Sequence, residues 1–223
     1  MESCGCTAIG GPATTLPTTP GLVVEGIGPV VVPVSDHMTC ELKNVAQQAP
    51  VGKGLQTVVD TSYRNNWQLE PDQIRLEHPQ WNQGLVQLVR STATDLGDEP
   101  DNVRAELYKV LLYEPGSFFK KHRDTEKADG MFGTLVVQLP STYTGGAFTV
   151  THGSKTKEID LGSGGMEWPL FNVIMPRITL TVNTRSSPSK AGTDWLLFTC
   201  CVTPEKQKAK FRLQTQCLII YLA

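Results

Sequence analysis

Apolar and polar positions divide this chain into a helical stretch followed by a stretch of strands. "GPVVVPVS", residues 28–35, reads as a strand. Ser35 then precedes "DHMTCELKNVAQQ", in which Met38, Leu42, Val45 and Ala46 fall on one helical face, so Ser35 is expected to cap a helix that "APVGKG" ends. After an extended "LQTVVDTSYRNNWQL", a second helix is expected over about 79–96, with Trp81, Leu85, Leu88 and Val89 at helical spacing. From Arg104 the period shortens to two. "AELYKVLLYE", "SFFKKH", "GTLVVQLP", "AFTVTH" and "KEIDL" read as short strands separated by Pro-Gly, Asp-Gly and Gly-Gly turns. Such a series indicates a sandwich or jelly roll, with the two amphipathic helices packed against a sheet.

The ends differ from this middle. Residues 1–20 are rich in Gly, Pro and Thr without a hydrophobic period and read as low-order; beyond Leu161 the prolines, serines and apolar residues again follow no sustained period. At 223 residues the chain accommodates one sizeable core. The expected division is therefore a low-order segment 1–20, a domain over 21–161 and a divergent tail over 162–223.

A net charge of −2 and the lack of a lysine or arginine block give no footprint for nucleic acid or anionic lipid. "MESCGCTAIGG" has neither a basic start nor a continuous apolar run, and the best apolar stretch is broken by Glu25, Gly28 and Pro33. The six cysteines follow no zinc spacing and read as free thiols. The resulting expectation is an intracellular protein, cytoplasmic or nuclear, without membrane or nucleic-acid partners.

"FFKKHRDTEK" carries the candidate chemistry. Residues i and i+2 of a strand share a face, so His122 and Asp124 can reach one ion while Arg123 points away. An imidazole and a carboxylate suit Fe(II), and a histidine from a distant strand would complete a facial triad with three open positions. Two polar residues ending a strand are the plainer alternative. Lys120 and Lys121 are read as a solvated pair, and His37, His78 and His152 lie outside the ligand pattern.

The longer segment "LYKVLLYEPGSFFKKHRDTEKADGMFGTLVVQLPSTYTGGAFTVTHG" resembles the iron- and 2-oxoglutarate-dependent dioxygenases of the prolyl-4-hydroxylase type, in particular large fungal and plant members. The matching positions are Tyr113, Gly116, His122, Asp124 and the Gly145-Gly146 turn. The resemblance implies a mainly β, α+β fold with flanking helices: a double-stranded β-helix, or jelly roll. It implies His122 and Asp124 as two ligands of Fe(2+). It also implies Tyr113, nine residues before His122, as a contact of the distal carboxylate of 2-oxoglutarate, a core tyrosine being the alternative. The activity implied is oxidative hydroxylation coupled to conversion of 2-oxoglutarate to succinate, with room for ascorbate as an auxiliary. The resemblance names no substrate, a protein being only the family analogy.

A working member of this family also needs a distal histidine and, about ten residues later, an arginine that forks onto 2-oxoglutarate. No histidine follows His152, and Arg177, Arg185 and Arg212 follow no such histidine. "ITLTVNTRSSPSKAGTDWLLFT", residues 178–199, offers a reason. Read across codons, from the third base of each residue and the first two of the next, permitted choices spell Tyr-Ala-Asp-Cys-Glu-His-Glu-Val, then Lys-Pro-Ile-Lys-Gly-Gly-Tyr-Arg, then Leu-Ala-Leu-Val-Tyr. The histidine position allows only His or Tyr, and the His-to-Arg spacing of ten arises without adjustment. The chain is therefore expected to leave its ancestral frame after about Leu161, through a gene-model error, a retained intron or a true frameshift, and the jelly roll to be incomplete at its C-terminal end. Two functions follow: a dioxygenase impaired by the missing distal pair, or a non-catalytic remnant or protein-binding module of the same fold.

Overall fold

A computed structural model describes residues 8–53, 56–95, 99–123, 131, 133–140, 148–152, 155–159, 170–174, 179–183, 195–204 and 218–222; beyond Thr156 it describes the backbone alone. Strands β1 (Ala8–Pro12), β2 (Leu22–Val24) and β3 (Gly28–Pro29) precede helix α1 (Asp36–Val45). The short strands β4 (Gln47–Gln48), β5 (Val51–Lys53), β6 (Gln56–Val58), β7 (Arg64–Asn65), β8 (Trp67–Leu69) and β9 (Ile74–Leu76) lead to helix α2 (Trp81–Asp95). Then come β10 (Val103–Tyr113), β11 (Phe118–Arg123), β12 (Gly133–Gln138), β13 (Phe148–His152) and β14 (Lys155–Ile159). The last four are β15 (Leu170–Ile174), β16 (Thr179–Asn183), β17 (Trp195–Pro204) and β18 (Leu218–Leu222).

Both helices form where the apolar period placed them. Ser35 caps α1, its Oγ accepting from the Met38 amide at 3.2 Å, which satisfies one of the amides a helix start leaves open. Leu42 is buried, with Met38 and Val45 packed against the core; α1 ends at Val45, three residues before the expected Gln48. On α2, Trp81, Leu88 and Val89 are buried and Leu85 packs beside them. The helices meet Leu69, Val110, Leu112, Leu135 and Val137 in one apolar cluster. A buried Leu or Val side chain contributes about 1.5–3 kcal/mol, so this interface dominates the cohesion of the described part.

The architecture is mixed α and β, with several sheets paired mostly antiparallel. An eight-stranded sheet has the order β1-β15-β12-β17-β18-β10-β8-β4, and a five-stranded sheet the order β14-β13-β16-β11-β7. Among the described residues the sheets do not close into a barrel. The eight-stranded sheet is covered on both faces: Leu69 and Leu112 belong to the helix-side core, while Gln68 and Leu111, paired across β8 and β10, are buried on the other.

Three expectations change. "GPVVVPVS" forms a ladder only at Gly28–Pro29, because Pro29 and Pro33 each remove a backbone donor; Val30 and Val34 are buried individually, and Val31 is 73% exposed. Residues 1–20 include strand β1 and the buried Ala13 and Leu16, where composition had suggested low order. The described residues of 162–223 form strands β15 to β18: β15 pairs with β1 and β12, β16 with β11 and β13, and β17 and β18 with β10.

Candidate functional site

The site is built around β10, its turn and β11. Glu114-Pro115-Gly116-Ser117 makes a tight turn closed by the Ser117 amide on the Glu114 carbonyl at 2.9 Å. Pro at the second position and Gly116 at φ +82° suit a type II turn, whose third residue needs a positive φ that only glycine adopts cheaply. The Ser117 hydroxyl accepts from the Glu114 amide at 2.9 Å. Glu114 itself clasps α1 and β8: its Oε1 accepts from Lys43 Nζ at 2.7 Å and its Oε2 from Trp67 Nε1 at 2.5 Å. Tyr113, the last residue of β10, is completely buried.

His122 lies near the end of β11, half-buried. Its pairing with β16 is irregular: Phe119 pairs with Val182 and His122 with Leu180, so three steps on β11 oppose two on β16. This one-residue bulge turns Phe119 and His122 to the same face, which a regular strand would not do. Their rings stack, with centroids 3.4 Å apart and planes 13° apart. The Arg64 guanidinium lies 4.4 Å over the same phenyl ring, and Tyr63 meets it edge-on at 6.3 Å. Tyr63 also fixes the strand backbone, accepting from the Lys120 amide at 2.9 Å and donating its hydroxyl to the Lys121 carbonyl at 2.5 Å.

The His122 ring nitrogen Nδ1 sits 2.8 Å from the Lys120 carbonyl oxygen. A carbonyl only accepts, so Nδ1 donates, and in the neutral ring the lone pair is on Nε2. That arrangement suits a metal ligand, since metal-bound imidazoles commonly give their other N–H to a carbonyl or carboxylate. This part of the site fits a divalent ion.

The remainder of a three-ligand centre is not assembled among the described residues, where no group of three His, Cys, Asp or Glu is placed to hold a metal. Asp124 lies outside the described residues. Across the sheet, His122 faces Leu180 on β16, then Val150 on β13, then Lys157 on β14. Val150 is buried. His152 ends β13 two residues beyond Val150, with β16 lying between that strand and β11. His37 is exposed on α1, and His78 Nδ1 accepts from the Gln80 amide at 3.3 Å at the entry to α2, a structural role.

Sequence reasoning missed Phe119, Arg64 and Tyr63, and also Asn66 and Gln68. Asn66 is completely buried; its Oδ1 accepts from Arg64 Nε at 2.8 Å while Nδ2 has no hydrogen-bond partner. Gln68 gives Nε2 to Glu70 at 2.7 Å and leaves Oε1 without one. The polar alternation Arg64, Asn66, Gln68, Glu70 was the available signal, although by itself it reads as a solvent face.

No family model and no curated protein matches the chain. Among solved structures, the fold is similar to a Pseudomonas putida prolyl-4-hydroxylase (TM-score 0.49, 13% identity, 90% of this chain and 93% of that one). It is also similar to an oxidoreductase of the 2OG-Fe(II) oxygenase family from Burkholderia pseudomallei (0.46, 14%, 82% and 85%). A third similar chain is a Trichoplax adhaerens prolyl hydroxylase, solved with a peptide of the hypoxia inducible factor oxygen degradation domain (0.43, 12%, 84% and 84%). No helix among the described residues is long and apolar enough to cross a membrane.

Proposed function

We propose that the chain is a non-catalytic remnant, or a protein-binding module, of the 2-oxoglutarate- and Fe(II)-dependent dioxygenase type, with a double-stranded β-helix incomplete at its C-terminal end. The observation that carries this reading is the row of residues facing His122. Leu180 pairs with His122, and Val150 pairs with Leu180, and residues of these types supply no metal ligand. No histidine follows His152 in the sequence. His122 and Asp124 are then what remains of the ligand set, and Tyr113 the surviving contact for 2-oxoglutarate. Fe(2+) with 2-oxoglutarate would supply oxidative hydroxylation where a full ligand set held it.

A second reading, that of an active dioxygenase, belongs to the chain carrying the shifted-frame segment. In that frame the histidine falls at Asn183, which pairs with Phe118 rather than with His122, and an arginine follows ten residues on. For the chain as written, the loss of a bidentate arginine contact alone should weaken 2-oxoglutarate by about tenfold to a thousandfold. Anaerobic calorimetry with Fe(II) and 2-oxoglutarate tests this. The shifted-frame version should bind 2-oxoglutarate at least tenfold more tightly, and equal, His122-dependent affinity in the two chains would refute the proposal.

A further inference from the structure

We propose that Phe119, backed by Arg64, is a positioning residue that fixes the tautomer and direction of the His122 ring. It deepens the reading of His122 as a surviving metal ligand and rests on that reading for its significance. A half-exposed histidine at a strand end would ordinarily sample several rotamers, and here four independent features remove that freedom. The bulge between Phe119 and His122 brings the two rings to one face. The rings stack at 3.4 Å and 13°, which fixes the imidazole plane. The Nδ1–H donation to Lys120 O at 2.8 Å then fixes the rotation within that plane and places the lone pair on Nε2.

The fourth feature holds Phe119. One face of a phenyl ring has room for one planar neighbour at such distances, so the Arg64 guanidinium, 4.4 Å over the ring, takes the face opposite His122. Arg64 is anchored in turn by Asn66 Oδ1 at 2.8 Å and the Pro50 carbonyl at 3.0 Å. The layers Arg64, Phe119 and His122 thus form a stack whose far end is bonded to the backbone. All of its side chains lie before residue 124, while the bulge that brings two of them to one face is set against β16.

The test is a long-range proton–nitrogen correlation spectrum of the full chain labelled with nitrogen-15, with His122 signals assigned from a His122→Gln variant. The expected result is the Nδ1–H tautomer for His122, with its carbon-bound protons shifted upfield by the Phe119 ring. Phe119→Leu should remove the upfield shift and bring in the Nε2–H tautomer; Phe119→Tyr, which keeps the ring, should restore both. Should Phe119→Leu fail to fold, Arg64→Met loosens the stack from its other side and should reduce the upfield shift. A dominant Nε2–H tautomer in the unmodified chain, or His122 signals unmoved by a folded Phe119→Leu, would overturn the proposal. Neither outcome depends on 2-oxoglutarate affinity, so the positioning role and the functional reading fail separately.

Discussion

Replacing Gly84 with alanine should destabilise the protein even though alanine is the better helix former. Gly84 lies in the first turns of α2, where the chain around Thr15 crosses the helix. An added Cβ would sit 2.2 Å from the Thr15 carbonyl oxygen, 3.0 Å from its carbon and 3.2 Å from Leu16 Cα, whereas ordinary contact begins at 3.4 Å. All three are backbone atoms, so no side chain can rotate away. The crossing segment must withdraw, stretching the 3.0 Å hydrogen bond from Thr15 Oγ1 to the Gly84 carbonyl and unseating Ala13 and Leu16. The hydrogen bond is worth about 1 kcal/mol. Burial of Leu16 is worth about 2 kcal/mol, and overpacking in a tight site costs about 1–3 kcal/mol. Helix propensity returns about 1 kcal/mol. The net loss should be about 3–5 kcal/mol, which in a chain of this size lowers the melting temperature by roughly 6–20 °C. Urea unfolding followed by tryptophan fluorescence measures it, with exposed Gln87→Ala on the same helix as a control that should stay within about 0.5 kcal/mol. A Gly84→Ala protein as stable as the unmodified chain would mean that residues 13–16 do not pack on α2.

Glu114→Ala removes the acceptor of both Lys43 and Trp67 and should cost about 2–3 kcal/mol in thermal unfolding, whereas Glu114→Gln keeps a partner for the indole N–H and should cost about 1 kcal/mol. Equal losses would show that the ion pair, not the indole bond, matters. Gly21→Ala should cost at least about 2 kcal/mol in urea, because φ is +63° there and the new Cβ would lie 2.6 Å from the His78 amide nitrogen; a neutral result would refute that close approach. Leu180→His puts a second imidazole beside His122 and should tighten Co(II) binding by at least about tenfold, or ~1.4 kcal/mol, by calorimetry. No gain would contradict the β11–β16 register.

What the sequence made legible was local. The α1 and α2 faces, the Ser35 cap and the cores of β10 to β13 follow from period and punctuation, which depend on neighbours a few residues away. The "VVV" run misled because its prolines deny it a ladder, and apolar residues are buried here one at a time. Strands β15 to β18 carry no clean alternation, and their pairing with β10, β11 and β12 is set over long chain separations. At the site, His122 was visible as a residue type. Its stacking partner was not, because i and i+3 of a regular strand face opposite ways and only the bulge joins them. Asn66 and Gln68 were illegible for a different reason: a polar alternation normally faces water, and these two of its members are buried.

Succinate formation from 2-oxoglutarate in the presence of Fe(II) tests the central claim most directly. Three proteins are compared: the chain as written, a version carrying the shifted-frame segment over residues 178–199, and that version with His122→Ala. The chain as written should release no succinate above the metal-only background, the shifted-frame version should turn over, and His122→Ala should abolish that turnover. Sustained succinate production by the chain as written, lost on His122→Ala, would contradict the account and would require a third ligand from a residue other than Leu180 or Val150.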